Sequence, residues 1–344
     1  MSRNPSPLQP GKLPAAFLAD LLASHVTVDD PSVLVAPAPG FDAAVVRPRH
    51  DIIVKSDPIT FTTSKPAAYL VAVNANDIAC LGGVPRWLTV TALFPEGTTA
   101  VDVAEIFDTL ADACQRIGIS LIGGHTEVTS AVRQLVLSGT MVGVPGPQGT
   151  LAPGGARPGD EVWITQAAGI EGTSIMATEV PAQHLRGISD WALEVGRSLI
   201  DDPGISIVEA AQTARSAGPV TAMHDPTEGG VATALHELAD ASRLGIEVNI
   251  EAVPVWPVTR ALADHFGISP LGLISSGALL FTAPPGSGEA FQAAFETTGI
   301  PVSRIGTMLA DPNVRVARAA GSATELPRYD TDEITSVFAR IEAH

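Results

Sequence analysis

The run Val144-Pro145-Gly146-Pro147-Gln148-Gly149, with Pro153-Gly154-Gly155 just beyond it, is the strongest linker composition in the sequence. Proline and glycine at this density suit neither a helix interior nor a central strand. The chain is therefore expected to fold as two domains, residues 1–150 and 151–344. Its length agrees, because 344 residues exceed what one hydrophobic core ordinarily supports. A hydrophobic content of 45% with a mean hydropathy of +0.25 argues for a folded protein. No stretch approaches the roughly 20 apolar residues of a membrane-spanning helix, and Met1-Ser2-Arg3-Asn4-Pro5-Ser6-Pro7 lacks the apolar core of a secretory signal. A cytoplasmic location is expected, with no membrane partner.

Strand and helix signals alternate along both halves. Asp51 to Lys55 reads as a strand, Pro66 to Leu81 as a helix opened by proline and closed by Gly82-Gly83, and Trp87 to Phe94 as a strand. Val101, Ala104, Phe107, Leu110, Ala111 and Cys114 recur at helical spacing up to Gly118, after which Ile119 to Ile122 and Gln134 to Val144 read as strands. Beyond the break, Asp160 to Thr165, Ile246 to Ile250, Ala278 to Thr282 and Val302 to Thr307 read as strands. Helices are expected at Gly230 to Arg243, Val258 to Phe266 and Gly288 to Thr298. The fold class is α/β (α+β). Both halves mix their layers alike, but no residue-level repeat proves a duplication.

A net charge of −17 excludes sequence-independent binding to nucleic acid, which relies on basic residues to replace phosphate counterions. The two cysteines, Cys80 and Cys114, sit in apolar helical segments without the spacing of a zinc site and read as reduced core thiols.

Four short stretches far apart each set an aspartate beside small or turn-forming residues: Phe41-Asp42-Ala43-Ala44, Ser56-Asp57-Pro58, Asn74-Ala75-Asn76-Asp77 and His224-Asp225-Pro226-Thr227-Glu228-Gly229-Gly230. Together they have the look of a carboxylate cage for a divalent cation. Mg²⁺ takes oxygen ligands and is typically held by a few carboxylates plus substrate phosphates. The glycine-rich Ile122-Gly123-Gly124-His125-Thr126-Glu127 offers backbone N–H groups to phosphate, or simply a tight turn. Because the lysines are Lys12, Lys55 and Lys65 alone, metal ions would carry much of the phosphate screening. Lys12 and Lys55 are candidate phosphate contacts, or solvated side chains. Taken singly, Asp57, Asp77 and Asp225 also read as turn and cap formers, and Asp42 as a strand or turn cap. Their joint occurrence favours the metal. His125 reads equally as a hydrogen-bonded loop histidine or a substrate contact, His224 and His236 as structural, and Glu228 as a capping carboxylate. There is no P-loop, dinucleotide fingerprint or nucleophile elbow.

In order, Gly40-Phe41-Asp42-Ala43-Ala44-Val45, Ser56-Asp57-Pro58, Asn76-Asp77-Ile78-Ala79-Cys80-Leu81-Gly82-Gly83-Val84-Pro85-Arg86, Gly123-Gly124-His125-Thr126 and Asp225-Pro226-Thr227-Glu228-Gly229-Gly230-Val231-Ala232 resemble the aminoimidazole ribonucleotide synthetase superfamily, and the last run most resembles its HypE-like branch. The resemblance spans nearly the whole chain. It implies a two-domain fold whose N-terminal domains pair in a homodimer, and ATP bound with Mg²⁺ as cofactor. It implies transfer of phosphate to an oxygen of a small molecule or partner group, as product or as activation.

By matching position, Asp42, Asp57, Asp77 and Asp225 would be metal ligands, and Asn76 and Thr227 their neighbours in nucleotide binding. Gly123, Gly124 and Thr126, with Lys55, would face the phosphates, and Asp57, Asp225 and His125 would form the catalytic set. Related kinases carry an acidic residue where His125 stands, with Glu127 the alternative contact here. HypE chemistry depends on a cysteine at the extreme C-terminus, whereas this chain ends Phe338-Ala339-Arg340-Ile341-Glu342-Ala343-His344. That reaction is not expected, nor is selenophosphate synthesis, since Gly11-Lys12-Leu13-Pro14 lacks the reactive cysteine or selenocysteine. The alternative is a catalytically silent nucleotide-binding protein that acts in a maturation or regulatory pathway.

Overall fold

The computed structural model describes residues 11–12, 15–26, 29–35, 45–47, 49, 51–60 and 64–342. The chain divides into two compact units, residues 1–78 with 83–149, and residues 79–82 with 150–344.

The first unit contains β1 (Gly11–Lys12), α1 (Ala15–His25), β2 (Val33–Val35), β3 (Val45–Val46), β4 (Ile53–Ile59), α2 (Pro66–Cys80, its end counted with the second unit), β5 (Gly83–Phe94), α3 (Ala100–Arg116), β6 (Ser120–Val128) and β7 (Val136–Pro145). Five strands form one sheet in the order β1-β6-β5-β7-β4. Among the described strands of this sheet β5 and β6 alone run parallel, and β2 and β3 form a separate ribbon. Helix α3 starts at a capping box, in which the Thr99 hydroxyl accepts from the Asp102 N–H and the Asp102 carboxylate accepts from the Thr99 N–H. Its Val103, Phe107, Leu110 and Cys114 recur at one face and are buried.

Alternate residues of the sheet separate its two faces. Leu88, Val90, Ala92 and Phe94 of β5 and Leu137 and Met141 of β7 are buried. A side chain added at Gly139 of β7 would meet Asn74 and Leu70, so α2 covers this face. On the other face Thr89, Thr91, Ser138 and Thr140 are only half-buried, and the strand-edge residues Ile52 and Val54 are 50% and 57% exposed.

The second unit contains β8 (Glu161–Thr165), α4 (Ile170–Glu179), α5 (Asp190–Ser198), α6 (Val208–Ala217), β9 (Ala222–His224), α7 (Gly230–Ser242), β10 (Gly245–Asn249), α8 (Pro257–Phe266), β11 (Leu280–Ala283), α9 (Gly288–Thr298), β12 (Val302–Leu309), β13 (Arg315–Ala319), β14 (Ser322–Glu325) and α10 (Glu333–Glu342). Seven strands form its sheet in the order β14-β13-β10-β12-β8-β11-β9. Val162, Ile164, Leu235, Leu238, Ile246, Val248, Leu280 and Met308 belong to one apolar core. Elsewhere in the unit Phe281 and Phe291 meet edge to face at 5.0 Å, with Trp163 5.7 Å from Phe291. Among the described residues no helix is long and apolar enough to cross a membrane.

Two expectations need correcting. The strand expected at Asp51 to Lys55 lies at Ile53–Ile59, so Asp57-Pro58 is strand rather than turn. Proline is tolerated there because β4 is an edge strand, bonded among the described residues to β7 alone. The strand expected to stop at Ile122 continues to Val128, so Gly123, Gly124, His125 and Thr126 form no loop. They are paired along their length to β5, with Gly124 opposite Val90 and His125 opposite Thr91. Gly124 is glycine for a packing reason. Its φ is +150°, and a Cβ there would sit 1.8 Å from the Val90 carbonyl oxygen. Gly124→Ala is expected to cost about 2–4 kcal/mol of stability in chemical denaturation. An unshifted midpoint would show that the neighbouring strand has room to give.

Candidate functional site

In the first unit the strand period decides which side chains meet. Lys55 and Asp57, two residues apart on β4, leave the sheet on the face covered by α2. That helix brings Asp77, and the Lys55 ammonium spans both acids, with Nζ 2.5 Å from Asp77 Oδ2 and 3.2 Å from Asp57 Oδ2. Burial works against the Lys55 charge, but hydrogen bonds and charge from Asp77 and then Asp57 outweigh it and raise its pKa. All three side chains remain partly exposed, between 33% and 43%. Next to them Asn74 donates to the Asp57 carbonyl (3.3 Å) and to the Leu70 carbonyl (2.9 Å). Asn74 and Asn76 are both fully buried within the helix. The Asn-Ala-Asn-Asp stretch thus lies inside the helix expected from Pro66 to Leu81 and delivers polar groups to a strand.

His125 is not brought to Asp57. Across the sheet Asp57 pairs with Gly139, Gly139 with Val90 and Val90 with Gly124, which makes one row. His125 belongs to the next row, with Thr91, Ser138 and Pro58. Neighbours in a row share a face and successive rows alternate, so His125 leaves the uncovered side of the sheet. It also lies three strand spacings from β4, about 14 Å at roughly 4.8 Å each. There it pairs with Glu127, Nε2 to Oε2 at 3.2 Å. Thr126 falls in the same row phase as Gly124, opposite Ala92. Gly123 and Gly124 carry ladder positions rather than a phosphate loop. Asp42 lies outside the described residues.

In the second unit Asp225 follows the last residue of β9, an edge strand, and the chain then turns through Pro226, Thr227, Glu228 and Gly229 into α7. Asp225 is 4% exposed, Thr227 is half-buried and Glu228 is exposed. The Cys80 thiol, in the 79–82 segment of this unit, points at Asp225 Oδ1 from 3.6 Å. His224 pairs with Glu237 at 2.8 Å, a hydrogen bond that holds the Glu237 carboxyl below its usual range. His236 is buried and bonds the carbonyls of Leu326 and Pro327 at 3.1 and 3.2 Å, a structural part.

Sequence reasoning missed Glu171, Ser276 and Asp332. Glu171 stands in the first turn of α4, is 2% exposed, and its Oε2 has no hydrogen-bond partner among the described residues. Burial pushes its pKa up to about 7. Ser276 lies close enough to oppose that rise but outside hydrogen-bond geometry, while the charges of Glu228, Asp332 and Asp225 add to it. Asp332 is also raised by burial, against the pull of the Ile334, Gly229 and Ile274 N–H groups. The available signal was an acid inside the apolar, glycine-flanked run Ala167-Ala168-Gly169-Ile170-Glu171-Gly172.

Among the described residues no group of three or more His, Cys, Asp or Glu side chains is placed to hold a metal by itself. The donors still suit Mg²⁺. Asp57 and Asp77 are accessible carboxylates on one face, and this ion ordinarily completes its shell with water and phosphate oxygens.

A first α/β unit with two carboxylates gathered on its helix-covered sheet face, and a second with one placed where a strand gives way to a glycine-led helix, define a two-domain protein of the aminoimidazole ribonucleotide synthetase class. Residues 40–145 match the AIR synthase related protein, N-terminal domain, and residues 157–318 match the AIR synthase related protein, C-terminal domain. The chain belongs to this family, on its HypE-like branch. The carbamoyl dehydratase HypE of Rhizobium leguminosarum bv. viciae is 29% identical over 261 residues, which cover 74% of this chain and 71% of that protein. A crystal structure of the hydrogenase maturation protein HypE in complex with ATP superposes with a TM-score of 0.78 at 23% identity, covering 94% of this chain and 97% of that one. The thiamine-monophosphate kinase of Stenotrophomonas maltophilia K279a gives 0.73 at 24%, covering 90% and 97%. These two likenesses show the fold.

Proposed function

We propose that the protein is a Mg²⁺- and ATP-dependent enzyme that phosphorylates, or activates by phosphorylation, an oxygen of a small molecule or of a partner protein's group. The observation that carries this reading is the convergence of Asp57, Asp77 and Lys55 on one face of the first unit. Similarity to a HypE solved with ATP and to a kinase of thiamine monophosphate supports it. Asp57 and Asp77 would hold the metal on the first unit, with Asp42 assigned the same role; Asp225 is the candidate metal-binding carboxylate of the second unit. Mg²⁺ in such a site supplies neutralisation of phosphate charge. Lys55, which pairs with both carboxylates, would be the cation beside them available to a phosphate oxygen. Asn76 and Thr227 stand beside the carboxylates in sequence and are assigned to nucleotide binding.

The second reading, a nucleotide-binding protein without turnover, is favoured by the placement of His125 on the other sheet face from Asp57, which removes the one histidine assigned to catalysis there. Incubation with Mg²⁺, γ-labelled ATP and a panel of carboxylate, carboxamide, hydroxyl and phosphate-ester acceptors separates the two. Labelled product that requires Mg²⁺ supports the enzyme. Binding of ATP without transfer to any acceptor supports the second reading.

A homodimer belongs to the same proposal. A mixed sheet with α2 over one face, and Ile52 and Val54 exposed at its edge, leaves a face that a second copy would cover. Light scattering is expected to report twice the chain mass; a monomer at micromolar concentration would contradict it.

A further inference from the structure

Helix α7 begins under an unusual constraint. Its N-cap is Gly229, at φ +77°, and the next residue, Gly230, has φ +62°. Side chains are excluded at both. A Cβ at Gly229 would lie 2.5 Å from Thr233 Oγ1 and 2.6 Å from the Tyr329 carbonyl oxygen, and one at Gly230 would lie 2.5 Å from the Leu271 carbonyl oxygen. A glycine cap has no oxygen to offer the free N–H groups of a first helical turn, and the first turn of α7 carries no acid.

The missing carboxylate comes from 103 residues away. Asp332 Oδ2 accepts the Gly229 N–H at 2.8 Å, and the side chain is buried. Its other oxygen, Oδ1, accepts the Ile334 N–H at 2.9 Å, which caps α10. One carboxylate therefore serves two helix starts, and it draws the Ile274 N–H as well. The segment that carries it is fastened to α7 at several points: Tyr329 N donates to Thr233 Oγ1 at 3.0 Å, Thr233 Oγ1 donates to the Tyr329 carbonyl at 3.1 Å, and His236 holds the Leu326 and Pro327 carbonyls. The Gly229 N–H, turned to a carboxylate in this way, is not a phosphate donor. The paired glycines thus serve close packing at the end of the Asp225 segment.

We propose that Asp332 is the positioning residue of the Asp225–Gly230 segment: by capping α7 at Gly229 it fixes where that segment ends, and so where Asp225 and Thr227 stand. The inference deepens the nucleotide reading and rests on it for its consequence, though the restraint itself is independent of any ligand.

Asp332→Ser is the informative variant. A serine keeps the short-range cap of Ile334 and is too short to reach Gly229, so α10 is preserved while the second bond is lost. Asparagine has one acceptor oxygen where two are used, which makes Asp332→Asn the second variant should serine not fold. In ¹⁵N-resolved hydrogen exchange on the full chain, the Gly229 amide is expected to exchange roughly 10- to 100-fold faster in Asp332→Ser, as loss of a charged acceptor implies, with the Ile334 amide unchanged. Affinity for Mg²⁺ with a non-hydrolysable ATP analogue is expected to fall about tenfold, while the melting temperature moves only a few degrees. Unchanged Gly229 exchange overturns the proposal, and so does faster exchange with unaltered affinity, which would reduce Asp332 to a purely structural cap. Absence of nucleotide binding in the unmodified protein would instead remove the functional reading, and the exchange comparison would still decide whether Asp332 restrains the segment.

Discussion

Asp57→Asn is expected to weaken Mg·ATP binding roughly 10- to 100-fold, about 1.4–2.8 kcal/mol, in a calorimetric titration. Asparagine preserves the shape of the side chain and removes the charge, which is what a hard divalent cation needs from it. The fold should not suffer. Asp57 is 43% exposed, and its pair with Lys55 is of the partly solvated kind that contributes about 0–1 kcal/mol. Denaturation midpoints within that range, together with the loss in affinity, would assign the residue to binding. Asp225→Asn tests the second unit in the same way, with one difference: Asp225 is buried, so its midpoint must be measured beside its affinity. Unchanged affinity in both variants would remove the metal reading from both units.

The second large effect concerns stability against pH. Glu171 is buried without a partner for Oε2 among the described residues, and its pKa in the folded protein is pushed up to about 7 from an ordinary 4.5. Below 4.5 the folded and unfolded chains both hold the proton, and the buried acid carries no ionisation penalty. As pH rises the unfolded chain ionises first, so the folded state loses stability through about 7 and the loss is complete above it. Its size is at most about 3.5 kcal/mol, from roughly 1.4 kcal/mol per pK unit. Glu171→Gln removes the ionisation and should flatten the pH dependence. In urea denaturation without nucleotide or metal, the variant is expected to match the unmodified protein near pH 5 and exceed it near pH 8. Titrating groups remote from Glu171 contribute equally to both proteins. Parallel pH profiles would mean that Glu171 ionises normally, through access to water that its burial does not suggest.

Local signals located the elements where one physical preference dominated. Proline at the start of α2 and the apolar repeat of α3 gave helices within a residue or two of Pro66–Cys80 and Ala100–Arg116, and α9 (Gly288–Thr298) falls where the helical pattern placed it. The readings that failed were at aspartate and glycine, whose preference for turns is local and yields to pairing. Asp57-Pro58 became strand because an edge position tolerates a missing N–H, and Gly123-Gly124 became strand because β5 passes too close for a side chain at Gly124. The row that puts Asp57 and His125 on opposite faces is a property of register, which no single segment encodes. Lys55 could be named from the sequence, but its role between two acids depends on a helix packing over a strand. Glu171 and Asp332 went unnoticed for a related reason: an acid inside an apolar run, or one 103 residues from the amide it caps, gains its meaning only from tertiary neighbours.

The central claim is that carboxylates of this chain hold a triphosphate through magnesium. Titration of ATP into the unmodified protein, once with Mg²⁺ and once after EDTA, tests it most directly. The account predicts saturable binding with Mg²⁺ that is lost on chelation; no binding in either condition, or equal binding in both, would contradict it.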